Sequence, residues 1–97
     1  MKIEKLIHIH DLCKFYEVES SFFEQVESYG LIKIVIISNE KYVHPKQLKN
    51  WEKIIHLHQD LNVNMEGIDV IFNLMKRIQL LENELEVKRK HLIFLED

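Results

Sequence analysis

Six histidines, one cysteine and a run of acids are the side chains in this 97-residue sequence best suited to chemistry. His8 and His10 stand two residues apart, as do His56 and His58. On a strand such a pair shares a face, and Cys13 would lie near the first pair. On a helix, residues at i and i+2 do not face each other. The histidines therefore read as half-buried polar side chains, with no metal and no cofactor expected. Cys13 follows Leu12 on an apolar face and reads as a small core residue rather than a nucleophile. Two glycines leave no phosphate-cradling loop, and no Ser-His-Asp or Cys-His arrangement follows from spacing. No catalytic residue is assigned, and the chain reads as non-enzymatic.

The acids carry more information. From Phe15 through Ile32 there is no Lys or Arg, while Glu17, Glu19, Glu24 and Glu27 all fall in that window. Glu24 and Glu27, at i and i+3, share a helix face, which suits solvent or a basic partner. Tyr29 at the end of the same stretch, like Tyr16 before it, would serve as an apolar anchor if exposed. Phosphate contacts from Lys and Arg dominate DNA affinity, so an acidic face there repels nucleic acid.

These residues must be positioned by short elements. Residues Lys2 to Ile9 alternate loosely and read as a first strand or extended lead-in. From His10 the period becomes helical, with Leu12, Phe15 and Tyr16 on one face and a stop near Glu17. Ser20 and Ser21 are N-cap candidates for a second helix, with Glu24 close to the capping-box distance. Phe22, Phe23, Val26 and Tyr29 supply its apolar face, and Gly30 ends it as a left-handed cap. Two short helices and a tight turn make a helix-turn-helix. Leu31 to Ile37 reads as a strand, Ser38-Asn39-Glu40 as a turn and Lys41-Tyr42-Val43 as the returning strand, forming a wing. Pro45 opens a third helix capped near His44. Leu48, Trp51, Ile55 and His58 form its inward stripe, widened by Ile54, Leu57 and Leu61.

Asn62-Val63-Asn64 breaks the pattern, and Asn64 caps a fourth helix with no Pro and only an early Gly. In it Ile71, Leu74, Ile78, Leu81, Leu85, Lys88, Leu92 and Leu95 alternate by three and four, an a/d seam broken once, at Lys88. The expected division is a winged helix-turn-helix domain over 1–63 and a dimerisation helix over 64–97. At roughly 1.5 Å per residue, that helix outruns a head about 25 Å across. Its overhanging seam, Ile71, Leu74, Ile78, Leu81, Leu85 and Leu92, predicts a homodimer.

Net charge is −3 and 46% of residues are hydrophobic, the composition of an ordinary folded domain. A sequence pI near 6.1 lacks the strong basic bias common among nucleic-acid binders. A lone cysteine excludes an internal disulfide and suits a reducing compartment. No apolar run is long enough for a membrane span and no signal peptide is legible, so a cytoplasmic place is expected.

The order of elements resembles the MerR superfamily of winged helix-turn-helix proteins. Ile9, Leu12, Val18, Phe23, Glu27, Gly30 and Leu31 stand where that pattern wants them. The segment from Leu61 to Met75, with Val63-Asn64-Met65-Glu66-Gly67-Ile68, looks like the chaperone-modulator branch, the CbpM-type proteins. That resemblance implies a mainly α fold with a small β-hairpin wing and a long C-terminal helix that dimerises antiparallel. It also implies binding to the J-domain of a DnaJ-like (CbpA-type) co-chaperone, restraining its stimulation of a heat-shock chaperone. J-domains, on this resemblance, meet that chaperone through a positively charged helix. Heat-shock repressors of the same superfamily carry a similar Val-Asn-x-x-Gly segment, so the alternative is a transcription regulator that binds DNA as a dimer. A metal or small-molecule sensor is a third reading, but sensors of the superfamily place cysteines at the dimer helix, where this chain has none. Between the first two, charge decides. The family's DNA readers resemble Thr-Leu-Arg-x-Tyr-Glu, and the matching stretch here is Phe22-Phe23-Glu24-Gln25-Val26-Glu27. Their wing is of the Arg-Arg-Tyr type, and here it is Glu40-Lys41-Tyr42. No specific nucleic acid is expected, and the partner-binding residues are Glu17, Glu19, Glu24, Glu27 and Tyr29.

Overall fold

A computed structural model describes residues 5–95, with side chains through Phe94. The chain forms a mainly α winged helix-turn-helix head from which one long helix projects. Strand β1 is only Ile7–His8, and helix α1, Ile9–Phe15, starts at once. The expected lead-in strand is thus shortened, and its part from Lys2 to Glu4 lies outside the described residues. The reason is local. His8 Nδ1 accepts from the backbone N–H of His10 at 3.0 Å and caps α1, so the chain turns helical directly after it.

Helix α1 ends at Tyr16 with Glu17 in the left-handed region, φ +56°. Glu17 N–H donates to Lys14 C=O and Val18 N–H to Cys13 C=O, the paired bonds of a Schellman motif. This tight exit places the next N-cap at Glu19, and helix α2 spans Ser20–Ser28. Ser20 and Ser21, expected as caps, are instead first-turn residues. Ser21 Oγ donates to the Glu19 carboxylate, and no side chain caps the helix. At the far end Gly30, φ +68°, closes a second Schellman motif, as its sequence position implied.

The expected strand over Leu31–Ile37 narrows to β2, Val35–Ile37. Ile32 is buried, and Leu31 and Ile34 pack on the core, so tertiary packing overrides the strand preference of this stretch. Ser38 and Asn39 both hold positive φ, the type I′ pattern of a two-residue hairpin. Glu40 therefore pairs with Ile37 as the first residue of β3, Glu40–Val43, rather than belonging to the turn. The antiparallel sheet runs β1-β3-β2.

His44 Nδ1 caps a short 3-10 turn, Pro45–Gln47, that leads into α3, Leu48–Ile55. Trp51 sits at the centre of the core, ringed by Phe22, Phe23 and Tyr16, with Ile54 and Ile55 beside it. The helix then widens into a π-turn, His56–Asp60, closed by the bond from Leu61 N–H to His56 C=O. The wider turn breaks the 3.6-residue register. His58 and Leu61, expected on the inward stripe, are consequently exposed, while Leu57 still packs.

Helix α4, Met65–Leu95, is capped by Asn64, whose Oδ1 accepts from Gly67 N–H at 2.8 Å. Ile68 and Phe72 seat it on the head. Beyond Phe72 every described side chain of α4 is exposed. The radius of gyration, 17.8 Å, exceeds the roughly 12.5 Å of a compact chain this long, which is the signature of the projecting helix. No helix among the described residues is long and apolar enough to cross a membrane.

Candidate protein interface

The two turns flanking α2 divide the acidic residues into two groups. Glu17 and Glu19 lie together at its N-terminal end, both exposed. With Val18, Phe22, His58 and Gln59 they line a shallow cleft of about 230 Å³. Phe22 and His58 stack there, centroids 4.3 Å apart and planes 28° from parallel. The π-turn that swings His58 out of the core is what places it on Phe22. Gln59 Nε2 donates to the Tyr16 carbonyl, and Tyr16 OH donates to Glu52 Oε1 at 2.8 Å, tying α1 to α3 beneath the cleft. Burial, together with Glu52, raises the Tyr16 pKa. Two carboxylates above an aromatic stack suit an alkylammonium or guanidinium group, through charge and ring quadrupole together.

Glu24 and Glu27 stand further along α2, Glu24 exposed and Glu27 half-buried. The wing reaches Glu27. Lys41 Nζ donates to its Oε1 at 2.8 Å. That bond raises the Lys41 pKa, desolvation offsets part of the rise, and the charges of Glu27 and Glu24 add to it. The sequence places no Lys or Arg within this stretch, but the hairpin brings Lys41, distant in sequence, against α2, so the acid set does not lack a basic neighbour. The uncompensated charge therefore centres on Glu17 and Glu19, since Glu24 also lies within the field of Lys41.

Tyr29 is exposed but lies at the opposite end of α2 from Glu17. It lines a groove of about 570 Å³ between the α2–β2 turn and α4, with Leu31, Phe72, Met75 and Lys76. Tyr29 and the Glu17–Glu19 cleft are thus separate features. The wing carries an apolar surface that strand assignment alone did not foresee, since Val35, Ile36 and Ile37 are all exposed on edge strand β2. The pairing register hid it, because exposure of both faces of a short edge strand leaves no alternation to read.

On α4, Leu74, Ile78, Leu81, Leu85 and Leu92 are half or more exposed in the single chain, and Ile71 is half-buried. The side chain of Leu95 lies outside the described residues.

His8, His44 and His56 have structural partners, as His58 has in Phe22. His8 Nδ1 is taken by the α1 cap, so its Nε2 carries the proton toward Glu40 Oε2, 2.5 Å away. His44 caps the 3-10 turn, and His56 meets Asp60 at 2.6 Å. Cys13 is buried, and burial pushes its thiol pKa up. Among the described residues no group of three His, Cys, Asp or Glu is placed to hold a metal ion.

A family model described as MerR HTH family regulatory protein matches residues 7–90. No curated protein and no solved structure matches the chain.

Proposed function

The chain belongs to the MerR HTH regulatory family, and on that premise we propose that it is a non-enzymatic chaperone modulator. It binds the J-domain of a DnaJ-like co-chaperone and restrains that co-chaperone's stimulation of its heat-shock chaperone. It works in the cytoplasm as an antiparallel homodimer, with residues 1–63 as the binding head and 64–97 as the dimerisation helix. The observation that carries this reading is the charge of α2. Glu17, Glu19 and Glu24 are exposed, Glu24 stands where the resemblance puts the arginine of a DNA reader, and Lys41 of the wing is engaged by Glu27. Such a face is repelled by phosphate and attracted by a basic helix. The stack of Phe22 on His58 beside Glu17 and Glu19 supports the same reading, since it offers an apolar floor to a cationic side chain.

The test is functional. Co-chaperone-stimulated ATP hydrolysis by the heat-shock chaperone should fall as this chain is added, and should recover when excess J-domain is supplied. Stimulation that is unchanged at saturating amounts of the chain contradicts the proposal.

A further inference from the structure

Phe15 is 80% exposed, more than any other large apolar side chain of the head among the described residues. The helical period puts it on one face with Leu12 and Tyr16, yet α1 ends at Phe15 and Glu17 turns the chain away. Leu12 and Cys13 fill the core from this helix, and Phe15 is left outside. Its ring has a fixed neighbour. It meets Tyr16 edge-on, centroids 5.1 Å apart, and Tyr16 meets the buried Trp51 edge-on in turn. Tyr16 is tied at two further points, its OH to Glu52 and its carbonyl to Gln59. An exposed aromatic ring has few rotamers, and one resting on a tied neighbour loses little freedom on binding.

Phe15 also stands beside the acidic cleft. Glu17 follows it by two residues, so their Cα atoms lie within about 7.6 Å of each other. Gln59, which holds the Tyr16 carbonyl, lines the cleft with Glu17 and Glu19. Lys14, the cation next to Phe15 in sequence, lines a different hollow with His10 and Cys13. The cleft has no Lys or Arg in its own lining, so its counter-charge comes from the occupant. We infer that Phe15 is the apolar anchor of the head's partner site, and that the occupant is a basic amphipathic helix with an apolar side chain about one turn from the Lys or Arg that enters the cleft. Side chains three or four residues apart on a helix are about 5–6 Å apart at Cβ, a spacing that fits the Phe15–Glu17 separation. Glu17 and Glu19 draw the helix in, and Phe15 holds it there. Tyr29, 39% exposed and at the far end of α2, takes no part. A nucleic acid can stack a base on such a ring, but its phosphates are repelled by Glu17 and Glu19. The inference rests on the modulator reading and deepens it, with the basic helix of the J-domain as the occupant.

The test measures association and dissociation rates of the full chain with the J-domain of a DnaJ-like co-chaperone. Phe15→Ala should raise the dissociation rate at least about tenfold, while the association rate and its salt dependence stay those of the wild type. Tyr29→Ala should leave both rates within about twofold of the wild type. Because the side chain is exposed, Phe15→Ala should also keep the wild-type thermal midpoint and the wild-type mass in light scattering. A J-domain that is still bound and leaves Phe15→Ala no faster than the wild type overturns the anchor and leaves the modulator reading standing. Equal losses in Phe15→Ala and Tyr29→Ala do the same. So does early unfolding of Phe15→Ala, which would make the ring a structural residue, or a change of mass, which would give it to a second copy. A wild type that binds no J-domain overturns the modulator reading itself, and the anchor with it.

Discussion

Gly67 and Val63 stand closer than any side chain at position 67 would allow. A Cβ on Gly67 would lie 2.7 Å from Val63 Cγ1 and 3.0 Å from Asn64 Oδ1, the atom that caps α4. Gly67→Ala thus sets a helix-propensity gain of about 1 kcal/mol against overpacking of about 1–3 kcal/mol and a disturbed cap. The expected net is a loss of about 1–2 kcal/mol in urea unfolding. Adding Val63→Ala should recover part of it. A Gly67→Ala chain more stable than the wild type would refute the close-contact explanation.

Glu17 offers the opposite sign. It holds φ +56° at the exit of α1 with a Cβ that this region disfavours. Glu17→Gly should raise stability by about 0.5–1 kcal/mol, whereas Glu17→Ala keeps the Cβ and should give no such gain. Thermal unfolding of the two variants side by side decides, and equal midpoints would contradict the strain argument.

These two positions also mark how far the sequence could be read. The Asn64 cap, the Gly30 exit, the Pro45 helix start and the buried Trp51 were all legible, because each is fixed by residues within a few positions. His58 and Leu61 were misplaced because a π-turn changes the period and has no composition signal. Glu19 displaced Ser20 as the N-cap because the preceding turn, not side-chain preference, set where α2 begins. The Glu27–Lys41 pair was hidden because it joins elements 14 residues apart through the tertiary fold. Ile68 and Phe72 were overshadowed by the longer seam that follows them, although their i, i+4 spacing is the signal that seats α4 on the head.

Dimerisation is the expected consequence of the exposed seam of α4. Pairing Ile78, Leu81 and Leu85 between two helices removes several hundred Å² of apolar surface from water. At about 25 cal/mol per Å² that exceeds any exposed ion pair in the region. Light scattering at micromolar concentration should return a dimer mass, and Ile78→Asp should return a monomer by placing a charge in the seam. A monomeric wild type would refute the pairing.

Specific DNA binding should be absent. Even at low salt, affinity should stay at the non-specific level, because the exposed charge on α2 is acidic and Lys41 is engaged by Glu27. A sequence-dependent gel shift at about 100 mM salt or above, with promoter DNA from the chain's own operon, would favour the repressor alternative.

The acidic-face reading is tested most directly by association rates with the J-domain of a DnaJ-like co-chaperone across a salt series. Glu17→Lys with Glu19→Lys should slow association by about tenfold at low salt and flatten its salt dependence, since complementary charge acts mainly on the encounter rate. Glu27→Gln should slow it less than the double variant, because it removes one negative charge and leaves Lys41 uncompensated, whereas the double variant reverses two charges. Rates that are equal for wild type and double variant at every salt concentration would contradict the reading and place the interface elsewhere on the chain.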